Sequence, residues 1–147
     1  MKKLFYIFTV LSLIFGCTKE KQPPADDLTG AWLLTQVYDK NTASNLSRPT
    51  GGNVVIIFQR DRSFRGRTLR NTFSDGDYTI NAPNKVTFGS YSTTKVMEDE
   101  WGGSFHTVLG ACALQSVAPC TANEFSIQGD QLKIRTPLRY DITLTRQ

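Results

Sequence analysis

The sequence is poor in residues that carry chemistry near neutral pH. Of its 147 residues one is a histidine, His106, and three are cysteines. It has no Gly-x-Ser-x-Gly segment, and Gly51-Gly52 is not followed by the Lys-Ser/Thr pair of a phosphate-binding loop. The acidic run Glu98-Asp99-Glu100 fits the solvated first turn of a helix better than a paired acid and base. The sequence therefore predicts neither an enzyme nor a bound cofactor.

The sequence also lacks an apolar run long enough to be a permanent membrane span. Its longest run covers residues 4–15 and is interrupted by two polar residues, whereas a transmembrane helix needs about 20 apolar residues. Two lysines precede this run and the small residue Gly16 follows it, which is the order of an export signal. We therefore expect residues 1–16 to be a signal peptide that is removed.

The residues at the end of this signal are Ile14-Phe15-Gly16-Cys17. They resemble the lipobox of bacterial lipoproteins, which has an aliphatic residue, a variable one, a small one and then cysteine. The resemblance implies that Cys17 receives a diacylglycerol and becomes the lipid-bearing first residue. Two or three acyl chains, such as palmitate, give stable anchoring where one chain binds only marginally. An ordinary secretory signal with an unrelated cysteine is the alternative.

Residues 17–27 are polar, contain Pro23-Pro24 and have no large apolar group, so we expect a flexible tether. Thr18 rather than aspartate follows Cys17, which implies the outer membrane in the enterobacterial sorting pattern. The sequence thus predicts a monomeric cell-envelope protein held on a membrane, the outer one, by its N-terminal lipid.

The remaining cysteines, Cys112 and Cys120, form an even pair in an exported domain, where oxidation is expected. We predict a disulfide between them. A metal site that includes His106 is the alternative, but no Cys-x-x-Cys or His-x₃-His spacing accompanies the pair, and structural zinc takes four ligands. The sequence therefore predicts no metal site.

Charge is modest overall but locally concentrated. Removing Lys2 and Lys3 with the signal lowers the net charge from +4 to +2, which does not argue for nucleic acid. Five arginines fall within eleven residues, at Arg60, Arg62, Arg65, Arg67 and Arg70. Strand alternation places Arg65 and Arg67 on one face, and no aromatic platform for nucleic acid bases accompanies them.

Arginine binds carboxylates and phosphates bidentately through its planar guanidinium. The five arginines therefore predict contact with an anionic glycan, an anionic lipid or an acidic protein. The alternative is a soluble hairpin whose charges prevent edge-to-edge pairing of strands.

From residue 28 onward, apolar and polar residues mostly alternate in steps of two, the pattern of strands with one buried face. Strands are predicted at 31–38, 54–58, 64–68, 78–80, 86–88, 125–127, 132–134 and 140–144. The unbroken apolar run 54–58 favours a strand covered on both faces. Eight short sequential strands predict one mainly β domain over residues 28–147, a small antiparallel barrel or a strongly curved sheet.

One segment has helical spacing instead. Its apolar residues follow at intervals of one to four, at Met97, Trp101, Phe105, Val108 and Leu109. Gly102-Gly103 weakens a helix by about 1 kcal/mol per glycine. We still predict one short helix, in which Trp101 and Phe105 close one end of the barrel; stacking of these rings on a ligand is the alternative.

Several short motifs occur in a familiar order. They are LTGAW (28–32), VIIF (55–58) with RSFRG (62–66), NTFSDGDY (71–78), TTKVMEDEW (93–101) and FSIQGDQLKI (125–134). Together they resemble the META domain family, small lipocalin-like β domains common in bacterial envelope lipoproteins. The resemblance implies a β fold with Trp32 in its core and no defined activity.

This chain departs from that family at two positions. The family often has one cysteine before the asparagine and another after the methionine, where this sequence has Arg70 and Glu98. Both changes together are consistent with the loss of a paired bridge. Cys112 and Cys120 lie instead in what resembles an insertion after the helix, so the chain is expected to be a divergent member or to belong to a neighbouring lipocalin-like group.

Two functions remain. The first is a non-catalytic binding or interaction module that acts through the arginine-rich hairpin. The second is a lipocalin-like carrier of a small apolar ligand inside the barrel. Side chains alone can fill a small eight-stranded barrel, so a packed interior favours the module and a large apolar cavity favours the carrier.

Overall fold

A computed structural model describes residues 27–147 of the chain. The predicted signal peptide, the predicted lipid site at Cys17 and the tether up to residue 26 lie outside these residues. Within residues 27–147 the chain forms ten strands and one helix, in the order β1 (Gly30–Asp39), β2 (Ser44–Asn45), β3 (Val55–Phe58), β4 (Ser63–Arg67), β5 (Thr72–Ala82), β6 (Lys85–Phe88), β7 (Ser92–Thr93), α1 (Glu100–Leu109), β8 (Asn123–Gln128), β9 (Gln131–Arg135) and β10 (Tyr140–Arg146).

Eight of these strands close into an antiparallel barrel. Neighbours follow in the order β1-β3-β4-β5-β6-β8-β9-β10, and β10 pairs back onto β1. The closing pair runs from Trp32↔Arg146 to Asp39↔Tyr140. The two short strands are additions, since β2 pairs with the end of β1 and β7 pairs with β5. The prediction of a mainly β barrel with one short helix is confirmed.

Inward-pointing side chains fill the barrel. Its largest buried residues are under 2 % exposed and include Trp32, Phe58, Phe64 and Phe105. Phe58 and Phe64 each pack edge to face with a neighbouring ring: the centroid of Phe58 lies 5.2 Å from that of Tyr78, and the centroid of Phe64 lies 5.7 Å from that of Phe88. Such pairs add to the stabilisation from buried area, and the interior is a core of packed side chains.

Strand β3 shows how the barrel wall differs from a buried sheet. Ile56 and Phe58 are each 1 % exposed, whereas Val55 and Ile57 alternate with them and are half-buried. The prediction that residues 54–58 are covered on both faces is wrong, because the outer side of a barrel wall faces away from the core.

Helix α1 lies across one end of the barrel. Asp99 caps it, with Oδ1 accepting from the backbone N–H of Gly102 at 2.8 Å. Trp101 and Phe105 are buried in the core, and the ring centroid of Phe105 lies 6.0 Å from that of Phe73 in β5. The helix also contacts β10 and β1, which pair with each other and lie at least three strands from β5 in the barrel order. It therefore spans from this pair to β5, and Trp101 and Phe105 lie in the core as expected of side chains that close an end of the barrel.

The predicted apolar helix face extends too far toward the N-terminus. Met97 precedes the helix cap and is 85 % exposed. Spacing alone placed it with Trp101, but the cap at Asp99 begins the helix two residues after it.

After α1, Cys112 and Cys120 form the predicted disulfide, with their Cα atoms 5.3 Å apart. Among the described residues, no helix has the length and apolar character needed to cross a bilayer.

Candidate functional site

The β3–β4 hairpin and the turn after it carry the five predicted arginines and distribute them over three places. Arg60 and Arg62 lie in the turn that joins β3 to β4, Arg65 and Arg67 lie on β4, and Arg70 lies in the turn that follows β4. All five residues are exposed. The structure therefore groups Arg60 and Arg62 at one end of β4 and places Arg70 at the other.

Arg65 and Arg67 belong to a mixed cationic and apolar surface. Both side chains point outward from β4, whereas Phe64 points into the core. In the strand register Arg65 pairs with Ile57 of β3, and Arg67 pairs with Val55. On the next strand, Leu33 pairs with Val55. Because Leu33, Val55 and Ile57 are half-buried, they leave apolar surface beside the guanidinium groups. We call these residues the arginine face: Leu33, Val55, Ile57, Arg65 and Arg67.

The carboxylates near the hairpin are engaged elsewhere. Asp61 Oδ1 accepts from the backbone N–H of Ser63 at 3.0 Å and from its hydroxyl at 2.6 Å, and these bonds lower the pKa of Asp61. The Asp77 carboxylate lies over Gly89, where a side chain would displace it. Within residues 27–147, none of the five arginines forms an ion pair with a carboxylate. The arginine face is thus a cationic surface without an internal counter-ion among these residues.

A second polar site lies where the chain enters α1. The Oε1 atom of Glu98 accepts hydrogen bonds from Thr68 and Asn71 and lies 3.5 Å from Nε2 of His106. The Glu98 side chain is only 12 % exposed. The interpretation of Glu98 as part of a solvated first turn is therefore wrong.

Asn71 joins the turn after β4 to the segment before α1. Its side-chain amide donates to the carbonyl of Val96 at 2.7 Å, and its Oδ1 accepts from the backbone N–H of Val96 at 2.8 Å. This pair of bonds holds the chain before α1 against the turn after β4, which brings Glu98 to Thr68. The bonds of Glu98 to Thr68 and Asn71 join the segment before α1 to the turn after β4.

His106 extends the cluster toward the surface. Its Nδ1 atom lies 2.9 Å from the hydroxyl oxygen of Tyr91. Burial lowers the pKa of His106 although Glu98 opposes this, and burial raises the pKa of Tyr91. At neutral pH the imidazole is therefore neutral and Tyr91 keeps its proton. This assigns the Tyr91 hydroxyl as the donor to Nδ1 and leaves the Nε2 proton facing Glu98.

Tyr91 and His106 line an open depression of about 460 Å³ with Gly110 and Leu114. The contacts of His106 connect α1 to Tyr91, which follows β6, and to Glu98, which precedes the helix. Within residues 27–147, no three His, Cys, Asp or Glu side chains are placed to hold a metal ion.

Sequence analysis missed this cluster, although one signal was present. In the helical spacing predicted from Met97 onward, Glu98 falls three residues before Trp101 and so on the side of that segment expected to face the core. An acidic residue on that side needs donors nearby, but the sequence did not identify Thr68 and Asn71 as those donors.

The fold is similar to that of a solved structure. An NMR structure of a protein from Burkholderia xenovorans aligns with a TM-score of 0.58 at 16% sequence identity, over 80% of this chain and 81% of that chain. This similarity confirms the fold. No protein-family profile and no curated protein matches the sequence.

Proposed function

We propose that this protein is a lipid-anchored cell-envelope lipoprotein whose β domain is a non-catalytic binding module, with the arginine face as its contact surface. The anchor rests on the signal-like residues 1–16 and the lipobox at Cys17. The contact surface rests on Arg65 and Arg67, which are exposed, lie side by side on β4 and have no ion pair within residues 27–147. This last observation carries the proposal, because an uncompensated pair of guanidinium groups favours an anionic partner.

The packed interior supports the module over a lipocalin-like carrier. Trp32, Phe58 and Phe64 occupy the centre of the barrel and are each at most 1 % exposed. A carrier needs a cavity that buries most of its ligand, and these rings occupy that volume. We further propose that the protein is a monomer at the outer membrane and a divergent member of the META domain family, on the motifs given above.

The anchor is tested in cells. Globomycin blocks the cleavage of lipoprotein signals, so it is expected to make the uncleaved precursor accumulate. A Cys17→Ser variant is expected to leave the membrane fraction. If globomycin has no effect, or if Cys17→Ser still fractionates with membranes, the anchor is wrong.

The contact surface is tested by pull-down from envelope extracts with wild type and an Arg62/Arg65/Arg67→Ser triple variant. A matched control replaces three exposed basic residues outside the arginine face, Lys95, Lys133 and Arg135. The triple variant is expected to lose most of the material bound by wild type, and the control is expected to keep it. Identical eluates from all three proteins would show that the arginines serve only solubility.

A further inference from the structure

We propose that the arginine face binds the membrane that carries the protein, with Arg65 and Arg67 on the phosphates of anionic lipids and the apolar residues of the face against the bilayer surface. This inference rests on the proposed function and names the partner of the same surface. Four observations support it: where the chain enters the barrel, how much chain precedes that point, the chemistry of the face, and its shape.

The chain enters the barrel beside the arginine hairpin. Gly30, the first residue of β1, pairs with Phe58, the last residue of β3. The turn that carries Arg60 and Arg62 follows Phe58 directly. The N-terminal end of the domain and this cationic turn therefore lie at the same end of neighbouring strands.

The length of the preceding chain keeps the domain close to its anchor. Residues 18–26 separate Cys17 from Asp27, so even a fully extended chain spans at most about 35 Å. This distance is about the length of β1 itself, whose 10 residues rise about 34 Å in an extended strand. A lipid at Cys17 thus holds the arginine face at high effective concentration next to the bilayer.

The chemistry of the face matches an anionic bilayer surface. Arg65 and Arg67 lie about 7 Å apart on one strand face, and guanidinium groups bind phosphate oxygens bidentately. Basic residues near a membrane surface are attracted by its negative potential. Leu33, Val55 and Ile57 lie beside the two arginines and are half-buried, so they supply the apolar contact of a protein that rests on the headgroup region.

The shape of the face favours a bilayer over the other anionic partners. The face spans β1, β3 and β4, which are paired in the closed barrel wall, so it offers no free strand edge to an acidic peptide. Its five residues include no aromatic ring on which a sugar could stack. A bilayer presents an extended surface of phosphates, which can contact the outward-facing arginine face without a cleft.

The test uses the full lipidated protein reconstituted into vesicles of phosphatidylcholine, with or without phosphatidylglycerol. One sample carries a fluorophore on a Thr72→Cys variant, because Thr72 pairs with Arg67 and is exposed. A second carries it on Gln131→Cys, exposed on β9, three strands from β3 in the barrel order. Lipids spin-labelled in the headgroup quench each fluorophore according to its distance from the bilayer.

In anionic vesicles the label at Thr72 is expected to be quenched at least about threefold more than the label at Gln131. Salt or an Arg65→Ser/Arg67→Ser pair is expected to remove the difference, whereas a matched Lys133→Ser/Arg135→Ser pair keeps it, since the force is electrostatic. Vesicle flotation is measured on every sample and reports the anchor independently of orientation.

Three results would overturn the inference. Equal quenching at both labels, stronger quenching at Gln131, or a difference that ignores salt and lipid charge would show that the face does not rest on anionic lipid, while flotation would leave the anchor intact. If one of these three results is obtained and the arginine variant nevertheless loses the material that wild type binds in the pull-down, the partner is a soluble anion or an acidic protein. Failure of the wild-type protein to float would instead reject the lipid anchor, and the inference with it.

Discussion

Glu98 links three parts of the chain through one carboxylate oxygen. Its Oε1 faces Thr68, Asn71 and His106, while Oε2 is buried without a hydrogen-bond partner in residues 27–147. Gly102 makes room for this carboxylate, because a Cβ there would overlap Oε2. The cluster therefore depends on an acidic side chain at residue 98 and on the absence of any side chain at residue 102.

The substitution Glu98→Ala is expected to lower the free energy of unfolding by about 1–3 kcal/mol, because the Thr68 hydroxyl and one N–H of the Asn71 amide lose their acceptor on Oε1. Urea unfolding followed by circular dichroism measures this change. Glu100→Ala is the matched control, since Glu100 is exposed on the same turn and its loss should change stability by no more than about 0.5 kcal/mol. Equal effects of the two substitutions would contradict the role given to Glu98.

His106 makes stability depend on pH. Burial lowers its pKa below the ordinary value of 6.5, so the unfolded chain binds a proton more readily than the folded chain. Its contribution is complete above about pH 6.5 and decreases as the pH falls through the lowered pKa. Melting temperatures between pH 8 and 5 measure this loss, and His106→Gln is expected to flatten the curve. An unchanged slope in the variant would show that other groups cause it.

At the scale of the elements, two glycines differ in the space that surrounds them. Gly66 of β4 has the carbonyl of Val55 and the ring of Phe73 where a Cβ would lie. Gly103 of α1 has its nearest neighbour, the Cβ of Glu98, 3.9 Å from that position. The strand position is therefore full and the helix position is open.

Gly66→Ala is expected to destabilise the protein by about 1–3 kcal/mol through overpacking. Gly103→Ala is expected to stabilise it by up to about 1 kcal/mol, because alanine favours the helix over glycine. Chemical denaturation of the two variants tests both signs. A destabilised Gly103→Ala variant would mean that α1 tolerates no added side chain on that side.

Much of the architecture followed from the spacing of apolar residues. Each predicted strand lies in or overlaps one barrel strand, and the prediction at 78–80 falls within β5, which begins earlier at Thr72. β2 and β7 were not predicted because two residues each carry no alternation. The disulfide followed from cysteine count, whereas the Glu98 cluster depends on side chains that lie 27 and 30 residues away in the sequence.

The arginine face also shows what the sequence pattern could not predict. Alternation correctly placed Arg65 and Arg67 on one face, but a single strand cannot reveal what its neighbours present. The apolar members of the face come from β1 and β3, and their positions beside the arginines depend on strand register. Register is set by the whole sheet, which sequence pattern alone did not determine.

At the scale of the whole molecule, Arg146 fastens the last strand to the start of the first. Its guanidinium lies 4.2 Å from the centre of the Trp32 ring, and its Nη1 donates to the carbonyl of Thr29 at 2.8 Å. Arg146→Ala is expected to lower the free energy of unfolding by about 1–2 kcal/mol, from the lost cation–π contact and hydrogen bond. Thermal unfolding measures this, with the exposed Arg67→Ala as control. A loss no larger than that of the control would show that the contact does not contribute to closure.

The pairing of β1 with β10 also determines when folding can finish. Trp32 and Arg146 are partners in the register, so the barrel cannot close fully until residue 146 has been synthesised. Contacts this distant in sequence form slowly. A newly made chain therefore holds β1 without its β10 partner until residue 146 has been added, and the apolar side of β1 stays uncovered along that edge for the same time.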